Sequence, residues 1–301
     1  MSTYHTPVLL RESIDGLNIR TGGIYVDVTY GGGGHSAEIL KSLGRGKLFA
    51  FDQDEDASRN MPDDKRFQFI HGNFRYLKNY LRYAGVSRID GLLADLGVSS
   101  HHFNTPERGF TYRSDAALDM RMNRLSRLTA ETVINEYDAR QLSILFRDYG
   151  ELREARKLAL SIERARSVQR ITSVSQLIGA IESLAPRQAE NQFFSKVFQA
   201  IRIEVNQELV NLTEMMKAAL DMLNPGGRLA VISYHSLEDR LVKNFMRWGD
   251  PYDQPVPDLY GQTHEPFTLV TRKPLMADDA EIESNTRARS ARLRVAEKKH
   301  P

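Results

Sequence analysis

Between Gly23 and Ser100, four short apolar runs alternate with helical segments, and this rhythm restricts the fold more than any other property of the chain. "GIYVDVTY" (Gly23 to Tyr30), "GKLFAFDQD" (Gly46 to Asp54), "FQFIHGNF" (Phe67 to Phe74) and "RIDGLLADLGVSS" (Arg88 to Ser100) read as strands, rich in β-branched and aromatic residues. "HSAEILKSLG" is a short helix stopped by Gly44. "FRYLKNYLRYAG" is another, with Leu77, Leu81 and Ala84 on one face and Gly85 as its stop. Nearly continuous apolar strands joined by helical crossovers mean parallel strands covered on both faces. The result is a doubly wound α/β sheet, whose ligands bind outside the carboxyl ends of its strands.

The rhythm then breaks. From Arg108 to Lys196 the pattern is helical throughout, so a helical domain is expected as an insert in the sheet. The expected division is 1–107 for the first part of the sheet domain, 108–196 for the insert and 197–301 for the second part. A long amphipathic stretch, "KVFQAIRIEVNQELVNLTEMMKAALDML", returns to the sheet and ends at "NPGG" (Asn224 to Gly227). "RLAVISYHS" (Arg228 to Ser236) is a fifth strand. "SLEDRLVKNFMRW" is a helix with Ser236 at its N-cap and Asp239 three residues on. "FTLVTRK" and "ARLRVAEK" complete a sheet of seven strands, mostly parallel.

Composition removes whole classes of chemistry. The chain has no cysteine, which excludes disulfides, thiolate metal sites and a cysteine nucleophile. "MSTYHTPVLLRES" lacks the apolar region of a secretory signal, and no apolar run approaches the roughly 20 residues of a membrane helix. The expected location is the cytoplasm, with no membrane partner. The net charge of +2 is unevenly spread: residues 106–202 carry 16 Lys+Arg against 12 Asp+Glu, and Asn285 to Pro301 has six basic residues against Glu297. Local basic clusters on a nearly neutral chain suit a polyanion, and equally suit simple solubility.

Four consecutive glycines, Gly31 to Gly34, join the first strand to its helix. Such a turn lets a ligand approach bare backbone, and two ligand classes use it: dinucleotides and S-adenosylmethionine. Asp52, 21 residues after Gly31, ends the second strand where a carboxylate can hold two ribose hydroxyls. Asp27, just before the turn, and Asp95, ending the fourth strand, tip the balance. A carboxylate repels a pyrophosphate but attracts a sulfonium and an ammonium. Asp27 would serve equally well as a turn-bonding or helix-capping residue.

"HTPVLL", "GGGGHS", "DGLLADLGVSS", "ERGF…LDMRM", "FQAIRIEVNQEL", "PGGRLAVISYHSLEDR" and "NTRARSARLR" occur in order from His5 to Arg294. In these motifs the chain resembles the bacterial small-subunit (16S) ribosomal RNA (cytosine-N4)-methyltransferase family, RsmH/MraW, over nearly its whole length. The resemblance implies a Rossmann-like class I S-adenosylmethionine-dependent methyltransferase sheet with an inserted all-helical domain. It implies methylation of the exocyclic N4 of a cytidine in the decoding region of 16S rRNA, within the small ribosomal subunit, with S-adenosylhomocysteine as product and no metal. Donor contacts then fall on Gly33, Gly34 and His35 in the turn, and on Asp52, Phe74, Asp95 and His102; the bare turn and its charge add Gly31 and Asp27 as further candidates. Phe74 would pack on the adenine, and His35 would act through its backbone. Phe74 could as readily staple its helix to the sheet, and Ser236 could merely cap a helix. The chain departs from the family pattern at Val28, Tyr30, Ala116, Ala117, Leu152 and Glu154, and its loop from Trp248 to His264 looks short.

Amino-nitrogen transfer needs the cytosine N4 held behind the methyl and an acceptor for its proton. Asp95 is the first candidate, with His235 at the mouth of the fifth strand as a second catalytic candidate. The RNA backbone is expected on Arg108, Arg113, Arg121 and Arg124 of the insert and on Arg287, Arg289, Arg292 and Arg294 of the tail, since phosphate contacts position without specifying. The alternatives are an NAD-dependent Rossmann dehydrogenase and a non-catalytic rRNA-binding scaffold. A homodimer is compatible with the sequence and not required by it.

Overall fold

The computed structural model describes residues 7–97, 106–254 and 265–300. The chain divides into two compact units, Met1–Gly97 with Leu209–Pro301, and Val98–Glu208.

The first unit is built on a seven-stranded sheet: β1 (Ile24–Asp27), β2 (Lys47–Asp52), β3 (Phe67–His71), β4 (Ile89–Asp95), β5 (Leu223–Ser233), β6 (Phe267–Leu269) and β7 (Arg292–Lys298). Its order is β3-β2-β1-β4-β5-β7-β6. The first five strands are parallel; β7 runs antiparallel to β5, and β6 antiparallel to β7. The order reverses between β1 and β4, which opens a crevice at their carboxyl ends. Asp27 and Asp95 are the last residues of those two strands.

Alternation along the strands divides their side chains between two faces. Val26, Phe49, Phe51 and Leu92 pack with Leu77 and Leu81 of α3 (Leu77–Tyr83), with Leu212 and Met216 of α9 (Glu208–Met222), and with Leu241 and Phe245 of α10 (Ser236–Trp248). Tyr25, Leu48, Leu93 and Ala230 pack on the other face with Leu17 of α1 (Leu10–Leu17) and with Ile39 and Leu40 of α2 (Gly34–Ser42). α1 was not legible in the sequence. Leu9 at its N-cap and Asn18 at its C-cap are both left-handed, and Leu9 N–H donates to Glu281 Oε1 at 2.7 Å, a tertiary cap.

The second unit is helical: α4 (Ala130–Glu136), α5 (Ala139–Asp148), α6 (Ala155–Val168), α7 (Val174–Ile181) and α8 (Glu190–Asn206) enclose their own apolar core. Capping boxes start α5 at Asp138 and α7 at Ser173. Phe110, Leu118, Met120 and Met122 enter this core ahead of the first helix, and Phe198, Ile201 and Val205 enter it after residue 196. Phe198, Ile201 and Val205 carry the helical unit past the expected 196, and its division at Val98 and Glu208 lies outside 108–196 at both ends. The long amphipathic stretch is two helices, not one: Gln207, at φ 51°, ends α8 before α9 begins. The apolar spacing of three and four continues across that break, so periodicity alone could not reveal it. Among the described residues no helix is long and apolar enough to cross a membrane.

Candidate active site

The glycine turn follows β1 without side-chain obstruction. Gly31 and Gly33 have φ of 52° and 79°, a region L-residues rarely occupy. A β-carbon on Gly34 would lie 2.2 Å from Pro7 Cγ, so this position is bare because the N-terminal segment packs against it. α2 therefore starts on Gly33, with no side-chain hydrogen bond at its cap. Tyr30, a departure from the family pattern, buries its ring against Phe67 and Phe69 and donates its hydroxyl to Asn60 O at 2.5 Å.

Asp52 fastens this turn to the end of β2. Its carboxylate accepts from Gly31 N at 2.8 Å and from Asp54 N at 2.8 Å. Beside it, Asn73 Nδ2 donates to Gln53 Oε1 at 3.0 Å, tying the exits of β2 and β3 together. Phe74 follows directly, half-buried against the sheet core. It staples the chain to the sheet and keeps part of its surface exposed.

Asp27 is spent within the fold. It is 1% exposed, accepts from Thr29 N at 3.0 Å and from Ser36 Oγ at 2.7 Å, and so anchors the turn at both ends. The carboxylate expected to contact the donor is therefore buried, with its oxygens engaged by its own turn and helix. Burial raises its pKa, against the pull of His35, Ser36 and Thr29.

Asp95 is the carboxylate that reaches the crevice, with its side chain 25% exposed. Its backbone N–H donates to Thr29 Oγ1 at 2.6 Å, and its Oδ1 accepts from Tyr234 Oη at 2.7 Å. Burial pushes its carboxyl up; His35 and the Tyr234 bond pull it down, and Asp27 and Glu238 push it up again. The His35 side chain is itself held inside the fold, 6% exposed. Nε2 lies 3.1 Å from Val8 O, which can only accept, so that nitrogen carries the hydrogen; Nδ1 lies 3.9 Å from Asp95 Oδ2. Tyr234 is the functional residue that sequence reasoning missed. Its place just past β5, at a parallel strand's carboxyl end, was the available signal.

His235 is turned away from this role. Its side chain is 8% exposed, its Nδ1 caps α10 by accepting from Glu238 N at 3.4 Å, and its Nε2 sits 3.2 Å from Glu238 Oε1. The N-cap is thus His235, one residue before the Ser236 that the sequence suggested. His102 lies outside the described residues.

The eight arginines separate clearly. Arg108 is 5% exposed, and its Nη2 donates to the carbonyls of Arg121 and Met122. Arg121 forks onto Asp119 at 2.7 and 2.8 Å and donates to the carbonyls of Arg124 and Ser126. Arg294 forks onto Asp239 at 2.7 and 3.1 Å, both side chains nearly buried. These three are tied into the fold, each guanidinium donating to partners inside the protein. Arg113, Arg124 and Arg289 are exposed, Arg292 leans on Asp239 at 3.3 Å with its side chain 45% exposed, and Arg287 is half-buried beside Tyr234.

A parallel sheet of this order, an antiparallel β7, a glycine turn after β1 and carboxylates at the ends of β1, β2 and β4 define a Rossmann-like class I S-adenosylmethionine-dependent methyltransferase. The sequence model of the MraW methylase family matches residues 2–299, and the chain belongs to that family. The Ribosomal RNA small subunit methyltransferase H of Bacteroides thetaiotaomicron is 54% identical over 298 residues, covering 99% of this chain and 98% of its own. The protein of that name from Flavobacterium johnsoniae is 52% identical, covering 98% of each. Among solved structures, an rRNA methylase from Streptococcus thermophilus matches over the whole of both chains at 15% identity with a TM-score of 0.41, a likeness that carries no argument about the site.

Proposed function

We propose that the protein methylates the exocyclic N4 of a cytidine in the decoding region of 16S rRNA, on the small ribosomal subunit in the cytoplasm. The relatives' shared name supports an rRNA substrate. The observation that carries the chemistry is Asp95, ending β4 with its side chain 25% exposed, one carboxylate oxygen held by Tyr234 and the other 3.9 Å from His35 Nδ1. S-adenosylmethionine, when bound, supplies a methyl group on a sulfonium, and transfer leaves S-adenosylhomocysteine. The residues present fit that donor. Gly31 and Gly33 keep the turn bare, Asp52 offers acceptors for the ribose, and Phe74 offers an apolar face for the adenine. Asp27, buried beside the turn, and Asp95, partly exposed at the end of β4, favour a cation over a diphosphate in the same crevice.

Cytosine N4 is a poor nucleophile because its lone pair is delocalised into the ring. Asp95 accepts a hydrogen bond from the amino group, aligns it for in-line attack and takes its proton as the new N–C bond forms. Orientation supplies much of the acceleration, with effective molarities on the order of 10⁵ M or more. The sulfonium is its own leaving group, so no metal is required. The target base must leave its stack to reach Asp95. Arg113, Arg124, Arg289 and Arg292 are the arginines proposed to grip the phosphate backbone.

The test is tritium transfer from labelled donor to small-subunit particles, beside calorimetry with S-adenosylmethionine and with NAD. Asp95→Asn is expected to lower the transfer rate by about 10²–10⁴-fold, the range for a positioned base, while the donor still binds. Undiminished transfer by Asp95→Asn would remove Asp95 from the mechanism. Binding of NAD in place of the methyl donor would overturn the reading as a whole.

A further inference from the structure

From Lys65 to Ile89 the chain carries six basic residues, Lys65, Arg66, Arg75, Lys78, Arg82 and Arg88, and not one acidic residue. This segment forms β3, at the edge of the sheet, and α3 beyond it. Three of its cations are spent on the fold. Arg66 forks onto Asp64, Lys78 pairs with Asp221, and Arg88 donates to Asp221 O at 2.5 Å. Arg82 is exposed, and Arg75 lies over the Tyr76 ring at 5.8 Å.

Among these cations stand Tyr76, Tyr80 and Tyr83, at spacings of four and three, which place them in one stripe along α3 and the turn before it. Leu77 and Leu81, both at 0% exposure, face the core, so α3 is already fixed without the tyrosines. Tyr80 is 37% exposed and packs edge-on against Phe51 at 5.9 Å. Tyr76 is 51% and Tyr83 95% exposed. Folding gives no reason for a tyrosine at 95% exposure beside an exposed arginine. A single exposed aromatic needs no explanation; a stripe of them interleaved with cations, on a segment lacking carboxylates, does. Flat rings accept unstacked bases of any sequence, and neighbouring cations accept the phosphates between them.

We propose that Arg75, Tyr76, Tyr80, Arg82 and Tyr83 form a docking surface for unpaired RNA on the strand that carries the target cytidine. The inference rests on the RNA reading above and adds to it a contact surface on the sheet unit itself. The turn before α3 begins at Phe74, proposed above for the adenine and lying at the carboxyl end of β3, so the Tyr76 end of the stripe lies on the ligand side of the sheet and the Tyr83 end toward the amino end of β4. Because the contacts are stacking and charge, the surface holds single strands without choosing their sequence.

The experiment measures binding of single-stranded oligocytidylate, and of a duplex RNA of equal charge, to the full-length protein and to Tyr83→Ala, Tyr83→Phe and Tyr76→Ala with Tyr83→Ala. Tritium transfer to small-subunit particles and calorimetric donor binding are followed in parallel. Tyr83→Ala is expected to weaken single-strand binding about tenfold, the double variant more, and Tyr83→Phe little. Donor affinity stays unchanged, which excludes misfolding. Unaltered single-strand binding in the double variant overturns the proposal. So does a variant that binds RNA normally yet loses transfer to whole particles, since the surface would then meet a ribosomal protein. Equal loss on single strands and duplex would also overturn it, reducing the surface to a charge effect. If the unaltered protein transfers nothing to the particles, the rRNA reading itself has failed, whereas normal transfer with unaffected variants sinks only the docking surface.

Discussion

The Tyr234 hydroxyl reaches Asp95 Oδ1 at 2.7 Å, and Tyr234 N–H is accepted by Glu238 Oε2 at 2.9 Å. Burial, then the Asp95 and Glu238 carboxylates, raise the phenol well above its ordinary range, so it remains a donor at any working pH. That bond favours the ionised form of Asp95, against the burial that raises its pKa. Removing it with Tyr234→Phe raises the Asp95 pKa further. Only the ionised carboxylate accepts the N4 proton, so the acid limb of the pH–rate profile is expected to move to higher pH. The rate should fall on the acid side of the profile and recover toward high pH. An unmoved acid limb would mean that Tyr234 only fills space. The partner of this residue was legible in the sequence as an acid ending an apolar strand. Tyr234 itself was not, because the contact joins positions 139 residues apart.

At the scale of elements, the strand–turn–helix at β1 and α2 depends on backbone freedom. Gly33→Ala places a β-carbon at φ 79°, only 2.6 Å from the Tyr30 hydroxyl. The left-handed conformation alone costs about 1–2 kcal/mol, so urea unfolding should shift to lower concentration, with donor binding weakened as well. The glycines were legible as a ligand turn, but the four have different reasons that sequence could not separate: conformation at Gly31 and Gly33, packing against Pro7 at Gly34. A second pair joins α10 to β7. Asp239 accepts the fork of Arg294 and a longer contact from Arg292. Burial opposes its ionisation, but the two arginines together hold it below the usual carboxylate range. A lowered pKa contributes stability above the ordinary carboxylate pKa, lost as the pH falls through the folded value. Asp239→Ala leaves Arg294 buried and unpaired and should cost about 3 kcal/mol by denaturant titration. The tail arginines looked alike in sequence, and only the register of β7 assigns Arg294 inward.

For the whole molecule the decisive property is where unspent charge remains once folding has used what it needs. Arg108, Arg121 and Arg294 serve the fold, while Arg113, Arg124, Arg289 and Arg82 stay exposed. Binding of small-subunit RNA is therefore expected to weaken steeply with salt. Each phosphate neutralised adds about 0.9 to the slope of log affinity against log salt for a duplex and about 0.7 for single strands. Donor binding should change little over the same range, and a salt-independent RNA affinity would contradict the electrostatic grip. By itself the sequence determined the parallel sheet, the helical insert, the glycine turn and the acids that end β1, β2 and β4. These depend on local periodicity and on which residues stop a strand, and neighbours along the chain decide them. Tertiary structure alone decided that Asp27 and His235 face inward, that Asp95 is held by Tyr234, and which cations remain for a polyanion. Those outcomes depend on contacts between residues distant in sequence, where burial and pairing fix what each side chain can still do.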